Sequence, residues 1–525
     1  MMLRKIVQFT GALFFTVSMG SQELAKGTVY GDLDGNGKKG RGEKGISGVA
    51  VTNGRSVVLT DKTGRYSLPV GKDNTISVIK PSGYRVPVDE NNLPRFFYRH
   101  KPEGSPVSKF SGVPPTGKLP GKIDFGLLPG NGGDRFTALI FGDPQPYSME
   151  EIGYFDKGIV DDVRITDDTY FGLSLGDLVG NDLNLFGPYV RAVKKIGIPW
   201  YNVMGNHDMN FDAKRDTLSD ETFEAYFGPA SYAFNRGKVH FIVLDDVLYP
   251  DPRDGKGYWG GFRPDQLEFV ENDLKHVPKD HLIVLAFHIP LAEFDRDLFR
   301  DSDRKKLFDL LKDFPNTLSL SAHTHIQRQD FFGKEDGWQR ESPHHEYNVG
   351  TTSGDWYSGK LDAQGIPISV MRDGTPKGYA LIHFTGNRYE IEYRVAGKPK
   401  DFQIGIFAPK VVAKGQRTKA GIYANFFMGS KGDTVLYRVD DGEWKEMDYL
   451  EDYDPSYVDL VNEWDTSEEL MPGRRSSDPI DSKHLWRAGI PSDLPVGEHT
   501  ITVIAIDRYG KKHKATRTYR LKEPK

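Results

Sequence analysis

The stretch TALIFGDPQ (residues 137–145) joins a run of apolar residues to a short polar segment. Such a run, bounded by glycine and proline, predicts a buried β-strand. Asp143 follows at the end of this strand, and Gln145 lies two residues further on. Because open α/β sheets bind their ligands beyond the carboxyl ends of their strands, we expect both side chains to lie at a binding site.

Four further apolar runs in the same region end on residue types that bind metal ions. The stretches are SLGDLVGND, VMGNHDM, LAFHIP and SAHTHIQ, and their polar residues are Asp177, Asn206, His207, Asp208, His288, His323 and His325. Carboxylate, amide and imidazole groups together suit Mn, Fe or Zn. Taken singly, an H-x-H pair is more typical of a surface, and GNHD is compatible with a turn capped by asparagine. Five such strand ends together favour a metal centre.

The distribution of apolar runs predicts three domains. Residues 134–395 alternate apolar strands with helix-like stretches, which is typical of an α/β (α+β) domain whose β-sheets are flanked by helices. Residues 24–128 and 396–525 contain short strands and many turns, which predicts an all-β sandwich at each end. The stretch PGNGG at 129–133 has the composition of a linker.

The order of the strand-end motifs resembles that of the calcineurin-like metallophosphoesterase family, whose signature runs D-x-H, G-D, G-N-H-D/E, H and G-H-x-H. The resemblance covers residues 136–395, and the flanking β domains are similar to those of exported bacterial members. Two positions depart from the signature. Gln145 replaces the first histidine, and Ala322 replaces the glycine before His323.

The resemblance implies a role for each motif residue. Asp177 would bridge two divalent metal ions, the first held by Asp143 and His325 and the second by Asn206, His288 and His323. His207 would face the substrate, with Asp208 orienting it. Two cations offset the negative charge of a phosphate ester and activate a water molecule. His207 would stabilise or protonate the leaving oxygen.

Gln145 stands where the family signature has a metal-binding histidine. A neutral amide binds a transition metal more weakly than an imidazole does, through its carbonyl oxygen or through a water molecule. We therefore predict a first metal site that is weaker and more easily exchanged than in D-x-H enzymes. The remaining ligands are all present, so the substitution does not predict an inactive enzyme.

The N-terminal stretch DLDGNGKKGRGE (residues 32–43) matches the spacing of a calcium-binding loop. Its candidate calcium ligands are Asp32, Asp34, Asn36 and Glu43. The alternative is a glycine-rich turn without an ion, because three basic residues in the same loop weaken its attraction for a cation.

The stretch TTSGDWYSG, beyond the last ligand motif, contains Asp355 and Trp356. We predict that both line the substrate cleft, with Trp356 as an apolar wall. The formal net charge of −5 disfavours a nucleic-acid partner. The substrate is instead expected to be a phosphorylated small molecule, a phosphorylated glycan or a lipid head group.

The first twenty residues have a short basic start, with Arg4 and Lys5, followed by a mostly apolar run. This pattern predicts a secretory signal peptide at residues 1–20, and the alternative is an ordinary buried helix. No other apolar run is long enough to predict a transmembrane span. The chain has no cysteine, which suits a bacterial protein exported to the periplasm or the exterior.

These patterns together predict an exported metal-dependent phosphoesterase that hydrolyses phosphomono- or phosphodiester bonds. The alternative is a non-catalytic surface protein that contains metal and binds a ligand. His207 argues against that alternative, because a site without turnover has no use for a histidine that faces the substrate.

Overall fold

The structure is a computed structural model that describes residues 23–293 and 297–524. The predicted signal peptide at residues 1–20 lies outside these ranges. None of the helices in the described ranges is long and apolar enough to cross a membrane.

The N-terminal domain is a β-sandwich built from two sheets. Its strands are β1 (Glu23–Gly31), β2 (Ala50–Thr52), β3 (Val57–Leu59), β4 (Arg65–Val70), β5 (Asn74–Ile79), β6 (Tyr84–Arg85), β7 (Phe97–His100) and β8 (Phe125–Pro129). The strand orders are β4-β1-β8-β6 and β3-β2-β5-β7. Alternation of side chains along the strands places Ala25 and Val29 of β1 in one core with Val51 of β2 and Ile76 of β5.

The central domain contains helices and strands in alternation. Its strands are β9 (Arg135–Phe141), β10 (Thr169–Leu175), β11 (Trp200–Val203), β12 (Tyr232–Arg236), β13 (Val239–Val243), β14 (Val247–Leu248), β15 (Trp259–Gly260), β16 (Leu282–Ala286), β17 (Asn316–Ser321), β18 (Arg328–Phe332), β19 (His344–Asn348), β20 (Gly359–Lys360), β21 (Gly378–Thr385) and β22 (Arg388–Val395). Its α-helices are α1 (Met149–Gly158), α2 (Phe186–Lys194), α3 (Glu221–Phe227), α4 (Pro264–Leu274) and α5 (Asp301–Leu311). Short 3₁₀ turns cover Val160–Asp162, Leu183–Leu185, Asp216–Leu218 and Lys334–Asp336.

Two sheets of the central domain pack face to face, in the orders β11-β10-β9-β21-β22 and β12-β13-β16-β17-β19-β18. Aromatic rings fill the space between them, with Phe136 of β9 stacked on Phe384 of β21 at 4.7 Å and edge-on to Phe241 of β13 at 6.3 Å. Strand β16 is buried on both faces. Its consecutive residues Val284 and Leu285 point to opposite faces, Val284 into the core between the two sheets and Leu285 into the core outside them. Helices therefore cover the outer faces, as the apolar runs predicted.

The direction of these strands positions the site. β9, β10 and β11 are mutually parallel, and so are β13, β16, β17 and β19. Parallel strands end at the same edge of a sheet, so the segments after β9, β10 and β11 meet at one edge of the first sheet, and those after β16 and β17 meet at one edge of the second. The packing of the two sheets brings these two edges together.

The C-terminal domain is a second β-sandwich with one helix. Its elements are β23 (Ile404–Phe407), β24 (Val411–Ala413), β25 (Gly421–Phe426), β26 (Thr434–Val439), β27 (Lys445–Glu446), β28 (Asp448–Tyr453), α6 (Pro455–Asp465), β29 (Gly473–Arg474), β30 (Asp481–Gly489), β31 (Gly497–Ile506) and β32 (Lys512–Lys522). The strand orders are β23-β25-β30-β28 and β24-β32-β31-β26-β27, while β29 pairs with β20 of the central domain. The predicted fold class, an α/β domain between two all-β sandwiches, is confirmed.

Candidate metal centre

Side chains from all five strand-end segments meet at one edge of the central domain. Ligand atoms of Asp177, His288 and His323 lie within 4.8 Å of one another. Asp143 and His325 join this group, since His325 Nε2 lies 3.7 Å from Asp143 Oδ1. Oxygen and nitrogen donors from segments far apart in sequence therefore surround one small volume.

The backbone at these strand ends is turned sharply to aim the side chains inward. Asp143, Gln145, Asp177, His323 and His325 have φ values of 36°, 41°, 48°, 71° and 54°. This left-handed region is uncommon for residues other than glycine and costs free energy, and such outliers cluster at functional sites.

Two glycines allow the turns to approach each other closely. A Cβ at Gly205 would lie 2.1 Å from the Asp177 amide nitrogen, and one at Gly176 would lie 2.5 Å from His288 Nδ1. Both distances are far below van der Waals contact, so the glycines of the G-D and G-N-H-D motifs are required by packing around the ligands.

The first group of ligands contains Asp143, Gln145 and His325 beside Asp177. The Gln145 amide donates from Nε2 to Asp177 Oδ2 at 3.1 Å. Its carbonyl oxygen Oε1 is buried and has no hydrogen-bond partner among the described residues. Buried polar atoms are almost always paired in folded proteins, so an unpaired oxygen at this position fits a metal ligand.

The second group contains Asn206, His288 and His323. His288 Nε2 lies 3.3 Å from Asp177 Oδ2, 3.1 Å from Asn206 Oδ1 and 3.2 Å from His323 Nδ1. His288 Nδ1 donates to the Leu175 carbonyl at 2.7 Å, which leaves Nε2 to face the cluster. His325 is oriented similarly, because its Nδ1 donates to the Gly354 carbonyl at 3.0 Å. Outer hydrogen bonds of this kind are typical of metal-binding histidines.

Burial and charge set the protonation of the cluster. Burial lowers the pKa of His323 to about 3 and that of His325 to about 4, so both imidazoles are neutral, the form that binds metals. Burial raises the pKa of Asp143 to about 8. Burial also lowers the pKa of His288, but the carboxylates of Asp177 and Asp143 outweigh it and raise the value to about 10. Without a metal ion, the buried carboxylates of Asp177 and Asp143 therefore keep His288 protonated. A bound cation would supply this positive charge in place of the proton.

The donor set fits divalent transition metals. It combines carboxylate, amide and imidazole ligands, the unpaired Gln145 oxygen points to an additional ligand, and His323 and His325 have the required neutral form. The chain is accordingly metal-binding.

His207 lies at the open side of the cluster, with 26% of its side chain exposed. Its Nε2 is 4.0 Å from Asp177 Oδ2, and its Nδ1 is 2.7 Å from Asn181 Oδ1. The ring of Tyr147 stands edge-on to it at 5.9 Å. Asn181 was missed by the motif comparison, although it lies in the stretch SLGDLVGND and has a left-handed φ of 71°.

Asp208 does not have the role expected for it. Its buried carboxylate accepts the backbone N–H groups of Gly205 at 2.9 Å, Leu178 at 3.1 Å and Val179 at 3.2 Å. The side chain of His207 is bonded to Asn181 instead. The expectation that Asp208 orients His207 is therefore wrong. Asp208 holds together the two loops that carry Asp177 and Asn206.

Trp356 and Asp355 differ in position although they are adjacent. Trp356 stacks on the His325 ring with centroids 4.1 Å apart, so it lies beside the first ligand group. Asp355 is 1% exposed, and its Oδ2 accepts the Ser358 hydroxyl and the Ser477 N–H, both at 2.7 Å. Asp355 Oδ2 thus binds the C-terminal domain, and a position of Asp355 in the cleft wall stays a prediction. Tyr258 stands edge-on to His323, in the second ligand group, at 5.9 Å.

The loop predicted to bind calcium brings its acidic residues together. Carboxylate oxygens of Asp32, Asp34 and Glu43 lie within 4.8 Å of one another. Asp32 accepts the N–H groups of Gly35 and Gly37 at 2.9 Å, and Glu43 accepts that of Leu33 at 2.8 Å. Asn36 donates to Asp34 at 2.7 Å. The loop is thus closed by its own hydrogen bonds, and the two alternatives for this segment stay open.

Comparison with known protein families covers most of the chain. Residues 136–327 match the family described as calcineurin-like phosphoesterase. Residues 33–113 match the N terminal of calcineurin-like phosphoesterase, and residues 346–513 match the C terminal of calcineurin-like phosphoesterase.

Individual relatives are distant. A protein named "Probable glycerophosphodiester phosphodiesterase GpdQ" from Arcobacter nitrofigilis is 25% identical over 177 residues, which is 33% of this chain and 62% of that relative. Purple acid phosphatase PPD1 from yellow lupin has a TM-score of 0.38 at 13% identity, covering 67% of this chain and 69% of that one. GAP50 of Plasmodium has a TM-score of 0.31 at 14% identity, covering 50% and 85% respectively.

Proposed function

Because the chain belongs to the calcineurin-like phosphoesterase family, we propose that it hydrolyses phosphomono- or phosphodiester bonds with two divalent metal ions. One observation carries this proposal. Buried side chains of both ligand groups contact the Asp177 carboxylate, Gln145 from the first group and His288 from the second. The partly exposed imidazole of His207 lies 4.0 Å from the same carboxylate.

Each ligand group has a defined part in this proposal. Asp143, Gln145 and His325 would hold one ion, and Asn206, His288 and His323 the other, with Asp177 shared. When bound, two such cations offset the negative charge of the ester and activate water as a nucleophile. Manganese, iron and zinc all suit these donors.

His207 would act on the leaving group. Asn181 Oδ1 accepts the proton on Nδ1, which leaves Nε2 to exchange a proton with the leaving oxygen. The exposed edge of the ring allows a substrate to reach it, and general acid catalysis of this kind contributes about 10²–10⁴-fold. Asn181 is then a positioning residue, because it acts through His207.

A rival proposal is a surface protein that binds metal and ligand without turnover. The Asn181–His207 pair disfavours it, because neither side chain completes a ligand group or closes a core. A direct measurement of phosphate-ester hydrolysis distinguishes the two proposals.

The test is the hydrolysis of p-nitrophenyl phosphate and bis-p-nitrophenyl phosphate by purified protein with added Mn²⁺. We expect turnover of at least one ester. His207→Ala should lower kcat by about 10²-fold or more, and Asn181→Ala by a smaller factor, with metal content unchanged in both. His276→Ala is the matched control, because His276 is exposed and follows helix α4, outside the strand-end segments that carry the metal ligands. Wild-type protein that holds metal but hydrolyses neither ester would overturn the proposal.

Export is a further part of this proposal and rests on the basic start and apolar run of residues 1–20. N-terminal sequencing of the protein from a bacterial periplasmic fraction tests it. We expect the mature chain to begin near Ser21, and an intact chain in the cytoplasmic fraction would contradict export.

A further inference from the structure

A segment of the C-terminal domain reaches the metal centre. Strand β29 pairs antiparallel with β20, so that Arg474 lies opposite Gly359. Gly473 has a φ of 106°, and a Cβ on it would lie 2.2 Å from the Gly359 carbonyl oxygen. Only glycine therefore permits this close approach. We call residues 473–478 the C-terminal arm.

The C-terminal arm is held by buried polar contacts directly after Trp356. The Ser477 N–H donates to Asp355 Oδ2 at 2.7 Å. The Ser358 hydroxyl donates to the same carboxylate, so the Ser476 hydroxyl is left to donate to Ser358 Oγ, at 3.0 Å. Asp355 and Ser476 are both 1% exposed. Buried bonds of this kind fix the arm relative to the metal ligands.

Arg474 projects from this arm toward the site. Its guanidinium donates from Nη2 to the carbonyl oxygen of Trp356, whose ring stacks on the metal ligand candidate His325 at 4.1 Å. The Arg474 guanidinium therefore lies beside the first ligand group, one side chain away from His325.

Among the described residues Arg474 forms no salt bridge, although its charge acts at longer range on the Glu151 carboxylate. Its neighbour Arg475 pairs with Asp465 at 2.6 Å and with Asp478 at 3.0 Å. In contrast, within residues 23–293 and 297–524 no carboxylate oxygen lies within 4.0 Å of the Arg474 guanidinium. Arg474 is exposed, and one Nη2 bond to a carbonyl leaves its other donors available.

We propose that Arg474 is a specificity residue that binds a second anionic group of the substrate, a phosphate or a carboxylate beyond the scissile phosphate. A guanidinium presents paired N–H donors that match the oxygens of either group. The preferred substrate class is then a phosphate ester whose leaving group is itself anionic. This inference rests on the proposed phosphoesterase function.

Three probes with one sugar ring test the inference and separate the two sources of charge. Glucose 1-phosphate has no second anion, glucose 1,6-bisphosphate has a phosphate, and glucuronic acid 1-phosphate has a carboxylate. We measure kcat and KM for each with wild-type protein, Arg474→Ala, Arg474→Lys and the matched control Arg475→Ala. Metal content and melting temperature are measured for every variant.

We expect wild-type protein to have a lower KM for at least one doubly anionic probe than for glucose 1-phosphate. Arg474→Ala should raise that KM about tenfold or more while kcat and the KM for glucose 1-phosphate stay within about twofold. Arg474→Lys should be intermediate, and Arg475→Ala should match wild type. The probe that responds identifies phosphate or carboxylate as the second anion.

Two results would overturn the inference. One is an equal KM of wild-type protein for all three probes. The other is an equal loss on all three probes in Arg474→Ala, which would show that Arg474 only supports Trp356. Calorimetric binding of the probes separates this inference from the proposed function. Wild-type protein that hydrolyses neither p-nitrophenyl ester, but binds a doubly anionic probe more tightly than glucose 1-phosphate in an Arg474-dependent way, would refute catalysis and retain the anion site.

Discussion

Replacing Asp208 should loosen the metal centre and the fold around it, because this carboxylate joins two loops. Asp208 is 0% exposed and accepts three backbone N–H groups, those of Leu178, Val179 and Gly205. A buried donor left without an acceptor costs about 1–3 kcal/mol. With partial relaxation, we expect Asp208→Ala to lower the free energy of unfolding by roughly 3–5 kcal/mol.

The matched variant Asp208→Asn should be milder. Asp208 Oδ2 accepts two of the bonds, from Leu178 at 3.1 Å and Gly205 at 2.9 Å, and an amide oxygen can replace it there. The amide nitrogen would then face the Val179 N–H, donor against donor. Losing one bond in this way should cost about 1–3 kcal/mol.

Thermal unfolding followed by circular dichroism measures both effects. For a domain of this size 1 kcal/mol corresponds to a shift of roughly 2–4 °C, so Asp208→Ala should melt roughly 6–20 °C below wild type. Its metal affinity should also fall, by about 10–100-fold, because the loops carrying Asp177 and Asn206 are released. An Asp208→Asn variant with wild-type melting and metal content, but turnover reduced by orders of magnitude, would refute this reasoning. Asp208 would then act directly in the chemistry.

Three further predictions concern the first metal site, the acidic loop and a buried lysine. Wild-type protein dialysed against metal-free buffer should retain fewer than two metal ions per chain and regain activity with Mn²⁺, whereas the Gln145→His variant should retain more metal. Two tightly held ions in the dialysed wild-type protein would contradict a weak first site. If the acidic loop binds calcium, Ca²⁺ at 100 times its Kd should stabilise the N-terminal domain by about 2.7 kcal/mol in thermal unfolding, and Mg²⁺ should not. An equal melting temperature with and without Ca²⁺ would favour the ion-free turn, and Asp32→Asn should abolish any calcium effect. Burial lowers the pKa of Lys80 from 10.5 to about 7, so between these values the unfolded chain binds a proton that the folded chain lacks. The free energy of unfolding should therefore rise with pH in this window, by up to ~1.4 kcal/mol per unit, and Lys80→Met should flatten the rise. Identical slopes in the two proteins would mean that Lys80 stays charged when folded.

The sequence alone determined the fold class and the position of most site residues. Apolar runs such as TALIFG, each followed directly by a polar residue, indicate parallel strands buried on both faces, and strand β16 is buried in this way. Parallel strands of one sheet end at a common edge, so Asp143 and Asp177 were bound to converge once they were recognised as ends of neighbouring strands. His288 follows β16 of the second sheet, so its approach to them depended on how the two sheets pack. Local patterns therefore sufficed wherever a residue's position followed from the strand that carries it.

Only the tertiary structure decided which neighbour each polar group meets. Asp208 follows His207 in the chain, yet its carboxylate bonds to the loop after β10, while His207 bonds to Asn181 of that same loop. Likewise, Asp355 is adjacent to Trp356 but turns away to bind the C-terminal arm, which brings Arg474 from 118 residues further along the chain. Hydrogen bonds are short and directional, so their partners depend on how loops face each other after the sheets and domains have packed. No local pattern in the sequence contains that information.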